Sequence, residues 1–430
     1  MISNNRTLAL LAPLILFLLV SPLTVLSSPQ GLLSADTCMQ QDIMDLLRKK
    51  GKPPREPRRF SILVLPSVSA NPSNGLLIGL SGPIGWRVGN DPNTNVSGAN
   101  VSLTVTTKKQ LISFIKTNIY TKENRFFLQG DWRFYLYSQT TYGLGTNAPD
   151  TAIINTGFNW QGIPVSAIDG SYPIRYDYLK VHEIISYQVY PNLYAGLGYH
   201  MDYYTDIRDE DLDLTGDTIM MTPHYFYCKE YGFDSSKYML SGVSLNVVYD
   251  TRDNLVNPYS GIFANANFRY NLTMLGSDQN SSSLWLEFRS YIGLSKERPR
   301  HLVAFWVFGN FVTGGTVPYL DLFSLGDDQR ARSGRGYLQG RYRGAEFVYG
   351  EAEYRFPISP CSQILGGVVF VNACSASNQF TGVRLFDYVK PAVGAGLRIM
   401  VNKHFRTNIN IDFAVGLGSD GLYFSGQEAF

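Results

Sequence analysis

The sequence is short of charge. Asp, Glu, Lys and Arg make up 17% of its 430 residues, against roughly 25% in ordinary soluble domains. The basic and acidic residues nearly cancel, leaving a net charge of +2, so no cationic excess points to nucleic acid as a partner. Long hydrophobic runs are also scarce. Beyond the first residues no stretch of 18 apolar residues occurs, which excludes a spanning helix from the remainder. Enzyme signatures are missing. There is no G-x-S-x-G elbow, the five histidines are scattered, and His182-Glu183 lacks a second His four residues after the first. The acidic stretch from Asp206 to Asp217 has no glycine where a calcium loop needs one and reads as a solvated external loop. No catalytic residue, cofactor or metal is expected.

What is present is an export signal and then a long alternating chain. Arg6 precedes an apolar run from Leu8 to about Val25, and Val25 and Ser27 stand where a signal peptidase reads. Leu33-Ser34-Ala35 is a second candidate site. Pro13 and Pro22 interrupt the run and disfavour a permanent anchor. Residues 1–27 are therefore read as a signal peptide and 28–58 as a short periplasmic lead-in. In that lead-in Ile43, Met44, Leu46 and Leu47 can form a helical turn or two, ahead of a Pro- and Arg-rich tether. Residues 59–430 remain. The chain holds 28 Tyr and 40 Gly, a composition that suits a transmembrane barrel with aromatic girdles and tight turns.

Alternation with period two recurs throughout this region. Ile262, Ala264, Ala266, Phe268 and Tyr270 face one way, and Asn265, Asn267 and Arg269 the other. Phe126, Leu128, Trp132, Phe134 and Leu136 oppose Gln129, Asp131 and Arg133, and Ile409, Ile411 and Phe413 oppose Asn408, Asn410 and Asp412. A soluble sandwich also alternates. Here, however, the segments are long enough for tilted spans, and their polar faces carry both signs of charge, which a closed wet lumen can pair. The expected fold is all-β, a transmembrane antiparallel barrel of about sixteen strands. The strands are placed at 60–69, 76–87, 98–107, 110–121, 125–139, 175–187, 192–205, 238–250, 262–272, 282–295, 301–313, 346–357, 363–373, 390–401, 405–416 and 419–430. Connections from even to odd strands are short (122–124, 188–191, 402–404). Several from odd to even strands are long (140–174, 206–237, 314–345, 374–389). That asymmetry between periplasmic turns and external loops is what an outer-membrane barrel shows.

Several motifs then resemble the BamA/TamA-type superfamily of outer-membrane assembly and translocation barrels, the bacterial surface antigens, over roughly residues 58–430. Asp250-Thr251-Arg252-Asp253-Asn254, with Asn257-Pro258 and Gly261, is similar to the family's turn after the eighth strand. Gly334-Arg335-Gly336-Tyr337 looks like the signature at the tip of the sixth external loop. The resemblance implies that this loop folds into the lumen and that Arg335 bonds carboxylates on the wall. Tyr349-Gly350-Glu351-Ala352-Glu353-Tyr354-Arg355 resembles the next strand, and Glu353 aligns with the family's acceptor. Asn372 departs from the pattern by replacing an aspartate, and Cys374 by replacing a glycine. An amide cannot make a charge-assisted bond to the arginine, so Glu353 is expected to carry more of the lock. Phe430, ending an alternating final strand, resembles the family's insertion signal. The resemblance would also bring periplasmic POTRA modules, and the lead-in has no room for one, so a POTRA-less member is expected.

The four cysteines sit in an oxidising compartment and allow three pairings. Parity places Cys38 and Cys361 on the periplasmic side and Cys228 and Cys374 outside. Pairs across the membrane would exceed the roughly 7 Å limit on Cα separation, so Cys228–Cys374 and Cys38–Cys361 are the expected bonds.

The resemblance implies a bacterial outer-membrane location and a role in inserting or translocating outer-membrane proteins within a complex. A weak seam between the first and last strands, near Gly421 and Gly426, would do the work. The implied partners are outer-membrane lipids and lipopolysaccharide, the barrel-assembly machinery, and POTRA-bearing or chaperone proteins. A channel gated by the inward loop, or a structural subunit without transport activity, are the alternative readings.

Overall fold

Alternation is legible residue by residue in the computed structural model, which describes residues 40–46, 60–62, 64–89, 94–148, 159–165, 170–215, 219–359, 361–403 and 406–430. In the strand Tyr238–Asp250, Ser244, Asn246, Val248 and Asp250 are buried, and Val243, Leu245, Val247 and Tyr249 are exposed. The inverted pattern, polar inside and apolar outside, recurs where Glu287 and Arg289 are buried between exposed Leu286 and Phe288. A strand built this way is stable only where lipid covers its outer face and charges pair within.

The strands are β1 (Phe60–Ile62 continued by Leu65–Asn71), β2 (Gly75–Arg87), β3 (Val96–Thr106), β4 (Leu111–Tyr120), β5 (Phe126–Thr141), β6 (Tyr172–Tyr190), β7 (Leu193–Asp209) and β8 (Tyr238–Asp250). They continue with β9 (Gly261–Asn271), β10 (Ser281–Gly293), β11 (Leu302–Gly315), β12 (Glu346–Pro357), β13 (Leu365–Ala376), β14 (Lys390–Asn402), β15 (Thr407–Gly416) and β16 (Ser419–Ser425). The two pieces of β1 keep one register on β2, with Ile62 opposite Ile84 and Leu65 opposite Ser81. They are one strand with an interruption, so the barrel has sixteen, as alternation predicts. Each strand pairs antiparallel with the next, and β16 returns to β1 to close the sheet.

Several boundaries differ from the sequence reading. β6 is longer at both ends, Tyr172–Tyr190 with 19 residues, and β7 at its outer end, Leu193–Asp209 with 17. The connection before β6 contains a small hairpin, Asn159–Trp160 with Ile163–Pro164. The last strand stops at Ser425 instead of running to Phe430. The expected signal peptide (1–27) lies outside the described residues, as does most of the lead-in. Of the lead-in, α1 (Ile43–Leu46) is a single turn capped reciprocally. The Asp45 backbone N–H donates to Asp42 Oδ1 at 2.7 Å, and the Asp42 N–H to Asp45 Oδ2 at 3.2 Å. Lys403, in the turn between β14 and β15, donates from its backbone N–H to Asp42 (2.8 Å) and from Nζ to Asp45 (2.7 Å), fixing α1 at the periplasmic rim.

The periplasmic turn between β8 and β9 shows why its residue types are needed. Asn254 Oδ1 accepts from the N–H groups of Val256 (2.8 Å) and Asn257 (2.9 Å), and Asp253 Oδ1 from that of Tyr259 (2.9 Å). Arg252 is held by Asp250 through Nε at 2.9 Å and Nη2 at 2.7 Å. Pro258 is buried within the turn. Gly261 has φ +107°, and a Cβ there would meet the Thr251 carbonyl at 2.4 Å. Only glycine fits. Arg406 reaches from the β14–β15 turn to Asp253 at 2.7 Å, so the motif also ties neighbouring turns together.

Candidate functional site

The loop 316–345 between β11 and β12 folds back into the barrel. Arg343 organises its base. It is buried, and Nη1 donates to the carbonyls of Tyr319 (3.0 Å), Leu320 (3.0 Å) and Leu322 (2.7 Å). At the tip the chain turns twice in the left-handed region, at Gly334 (φ +81°) and Gly336 (φ +104°). A Cβ at the first would meet Leu325 at 2.4 Å and at the second Ala392 at 2.8 Å, so both glycines are sterically required. Tyr337 anchors the far side. Its hydroxyl donates to the Pro391 carbonyl at 2.6 Å and accepts from the Leu417 N–H at 3.0 Å.

Between the glycines Arg335 points into the wall. It bonds Glu351 and Glu353 on β12, and its Nη1 donates to Asp412 Oδ2 on β15 at 2.8 Å. Its guanidinium also lies 3.5 Å from the Phe370 ring centroid. Glu351, Glu353 and Arg355 share the inner face, as alternation requires, and all are buried. In this low-dielectric setting each carboxylate is stable only while paired. Asn372 takes a different part from the one its position suggests. Its Nδ2 donates to the Arg335 backbone carbonyl at 2.9 Å, a bond an aspartate could not make. The carboxylate missing from β13 is supplied by Asp412, which sequence reading placed on the polar face of its strand without linking it to Arg335.

The segment after β16 departs most from expectation. Residues 426–430 leave the sheet and turn into the lumen, where Glu428, Ala429 and Phe430 are buried. The Phe430 ring packs 5.3 Å from Trp306 and 6.0 Å from Tyr291. It does not end an alternating strand facing lipid, because Glu428 finds its counter-charge inside, on Arg398 of β14 at 2.7 Å.

The cysteine expectation is half corrected. Cys228 and Cys374 are both free buried thiols. Cys228 sits on α2 (Pro223–Tyr231) in a tyrosine-rich cluster, and Cys374 in a separate cluster with Tyr337 and Tyr349. They share a side of the membrane but not a place on the ring. Cys361 is disulfide-bonded, and Cys38 lies outside the described residues. Cys228 Sγ lies 3.4 Å from His224 Nε2, and His224 Nδ1 lies 2.7 Å from Asp209. This Cys–His–Asp order resembles a nucleophile with its base, but both Cys228 and His224 are 0% exposed, and no substrate can reach the sulfur. Its work is to fasten α2 to the end of β7. The Asp209 side chain is thus 3% exposed instead of belonging to a solvated acidic loop. Among the described residues no group of three or more His, Cys, Asp or Glu is arranged to hold a metal.

The seam completes the geometry. Among the described residues β16 meets β1 at one residue pair, Phe424 with Ala70, whereas β6 and β7 stay paired from Tyr190–Leu193 to Ile174–Asp209.

These features agree with the comparisons to known proteins. Residues 90–425 match the Omp85 superfamily domain. Among solved structures the chain is similar to BamA from Haemophilus ducreyi lacking POTRA domains 1–3, at 16% identity and a TM-score of 0.53, over 87% of this chain and 71% of that one. It is similar to CdiB from Acinetobacter baumannii (14% identity, TM-score 0.51, 86% of this chain and 60% of that one) and to CdiB from Escherichia coli (9%, 0.51, 84% and 62%). The chain therefore spans about three fifths of the length of the two CdiB structures. No curated protein matches it in sequence. With a domain match over most of its length and a closed sixteen-strand barrel, this outer-membrane protein belongs to the Omp85 superfamily.

Proposed function

We propose that this barrel assists the insertion or translocation of outer-membrane proteins, as part of a complex, by opening between β1 and β16. The observation that carries the reading is the single residue pair, Phe424 with Ala70, at that seam. A sheet edge without a partner presents a row of free N–H and C=O groups that an incoming strand can satisfy. In a bilayer such an edge is costly, so the seam is the place where the barrel opens most cheaply. POTRA-bearing or chaperone partners would deliver the client, and lipid and lipopolysaccharide would surround the opening.

The test is a reversible lock. Ala70→Cys with Phe424→Cys places two thiols at the one paired position. Oxidation is expected to reduce acceleration of client-barrel insertion into liposomes to background, and reduction to restore it. An oxidised barrel as active as the reduced one contradicts the reading. A second reading, a channel gated by loop 316–345, draws on the cavity of about 2470 Å³ that remains between that loop and the wall. It predicts instead that Arg335→Ala raises conductance in planar bilayers while the oxidised seam conducts as before.

A further inference from the structure

The inward segment and the loop lock share their counter-ions. Glu353 gives one oxygen to Arg335 and the other, Oε2, to Arg355 Nε at 2.6 Å. Asp412 gives Oδ2 to Arg335 and Oδ1 to Arg398. The two wall arginines then hold the segment after β16. Arg398 Nε donates to Glu428 Oε2 at 2.7 Å, and Arg355 Nη2 to the Phe430 carbonyl at 3.2 Å with its guanidinium 5.2 Å from the Phe430 ring. Asn408 adds a bond to Glu428 Oε1 at 2.7 Å, and Asn410 one to the Gln427 carbonyl at 2.6 Å. Two parallel chains of ion pairs thus run from the tip of an external loop to residues 427–430.

From this wiring we propose that residues 426–430 form a latch that the loop lock keeps inside the lumen, and that withdrawing Arg335 releases them to zip β16 onto β1. The sign follows from charge. With Arg335 docked, the network presents Glu428 with as many cations (Arg335, Arg355, Arg398) as carboxylates (Glu351, Glu353, Asp412). With Arg335 gone, the ion pairs around Glu428 lose one positive charge, and Glu428, on residues outside the sheet, is the member free to leave. Coupling of this kind is reciprocal, so a docked segment also favours a docked loop. The destination is set by register. Phe424 already pairs with Ala70, so an extended segment would place Gln427 opposite Ser67 and Phe430 opposite Val64. Of these, Ser67 pairs with Gly79 of β2 on one side and, among the described residues, with no strand on the other. The loop lock therefore keeps the seam unzipped. The inference rests on the seam reading for its consequence, but its test needs no client protein.

The test uses the full chain in detergent carrying Ser67→Cys and Gln427→Cys, two side chains outside the ion-pair chains. A disulfide between them forms only when the segment lies along β1. Adding Arg335→Ala is expected to raise the rate of that cross-link about tenfold or more, within the range usual for coupled sites. Asp412→Asn, which cuts one chain only, is expected to give a smaller rise. Asp209→Asn, outside the network, should give none. Heat-modifiable migration on gels reports that each variant is folded, and should Arg335→Ala fail to fold, Asp412→Asn alone decides. Equal cross-linking rates in the parent, Asp412→Asn and any folded Arg335→Ala barrel would overturn the latch. So would an equal rise with Asp209→Asn. If the cross-link responds as expected while the oxidised Ala70–Phe424 lock leaves insertion untouched, the latch stands and the proposed function fails.

Discussion

The wall formed by β5, β6 and β7 and the seam between β16 and β1 are built on the same alternating pattern, yet they differ in every structural respect. On the tall side β6 and β7 run to 19 and 17 residues, roughly 60 Å at the usual strand rise. Tyr176, Tyr178, Tyr204 and Tyr238 stack against one another on the inner face, with Tyr178 and Tyr204 centroids 4.4 Å apart. At the seam β16 has 7 residues. β1 is interrupted, contains Pro66 with no N–H to offer a ladder, and faces β16 at one pair. Gly79 on β2 lies so close to β3 that a Cβ would meet the Leu103 carbonyl at 2.1 Å. The lesson is that alternation decides which face a residue takes, whereas proline, glycine and strand length decide how firmly neighbouring strands hold.

The largest expected way to disturb that contrast is Arg335→Ala. It leaves buried Glu351 without a cation and takes one of two from Glu353 and Asp412, and breaking a buried pair by removing one partner costs about 3–5 kcal/mol. Urea unfolding in detergent should show the loss, and limited trypsin digestion should cut loop 316–345 at Arg330 or Arg332 while the β5–β7 wall stays intact. A smaller effect is expected from Asn372→Asp, which restores the residue the family pattern calls for. In this chain it removes the donor to the Arg335 carbonyl and adds a fourth carboxylate around one guanidinium. The expected outcome is a destabilisation of about 1–3 kcal/mol, the usual penalty for an unsatisfied buried group, read by the same urea titration. The smallest effect belongs to the tall side. Cys228 should resist maleimide in the folded barrel, because burial raises its thiol pKa and seals it from solvent. Rapid labelling of Cys228 would show that the cap over β7 and β8 is loose and would erase the contrast.

Much of this was legible in the sequence for a physical reason. A lipid-covered strand must alternate, so β8, β10 and β15 announced both their extent and their facing. Arg335 is legible because Gly334-Arg335-Gly336-Tyr337 resembles the superfamily's loop signature and lies between the eleventh and twelfth strands. What was not legible depended on position around the ring. Asp412 alternates like any lumen residue, and nothing local says that it meets a loop arginine 77 residues away in sequence. Strand parity gives Cys228 and Cys374 one side of the membrane, but side says nothing of angular separation, and they lie in separate clusters. Phe430 misleads because the alternation through Leu422 and Phe424 stops at Ser425, where Glu428 falls in the outward phase and the backbone turns inward. Only the cluster of Arg355, Arg398 and Asn408, assembled from three strands, explains the turn.

Amide hydrogen exchange of the full barrel in lipid nanodiscs tests the central contrast most directly. The seam-facing amides of residues 65–70 of β1 and 419–424 of β16 are expected to exchange orders of magnitude faster than residues 176–186 of β6 and 194–204 of β7, because each of these strands is laddered on one side only. Equal, deep protection on both sides would mean that the seam is a continuous ladder and would contradict the account.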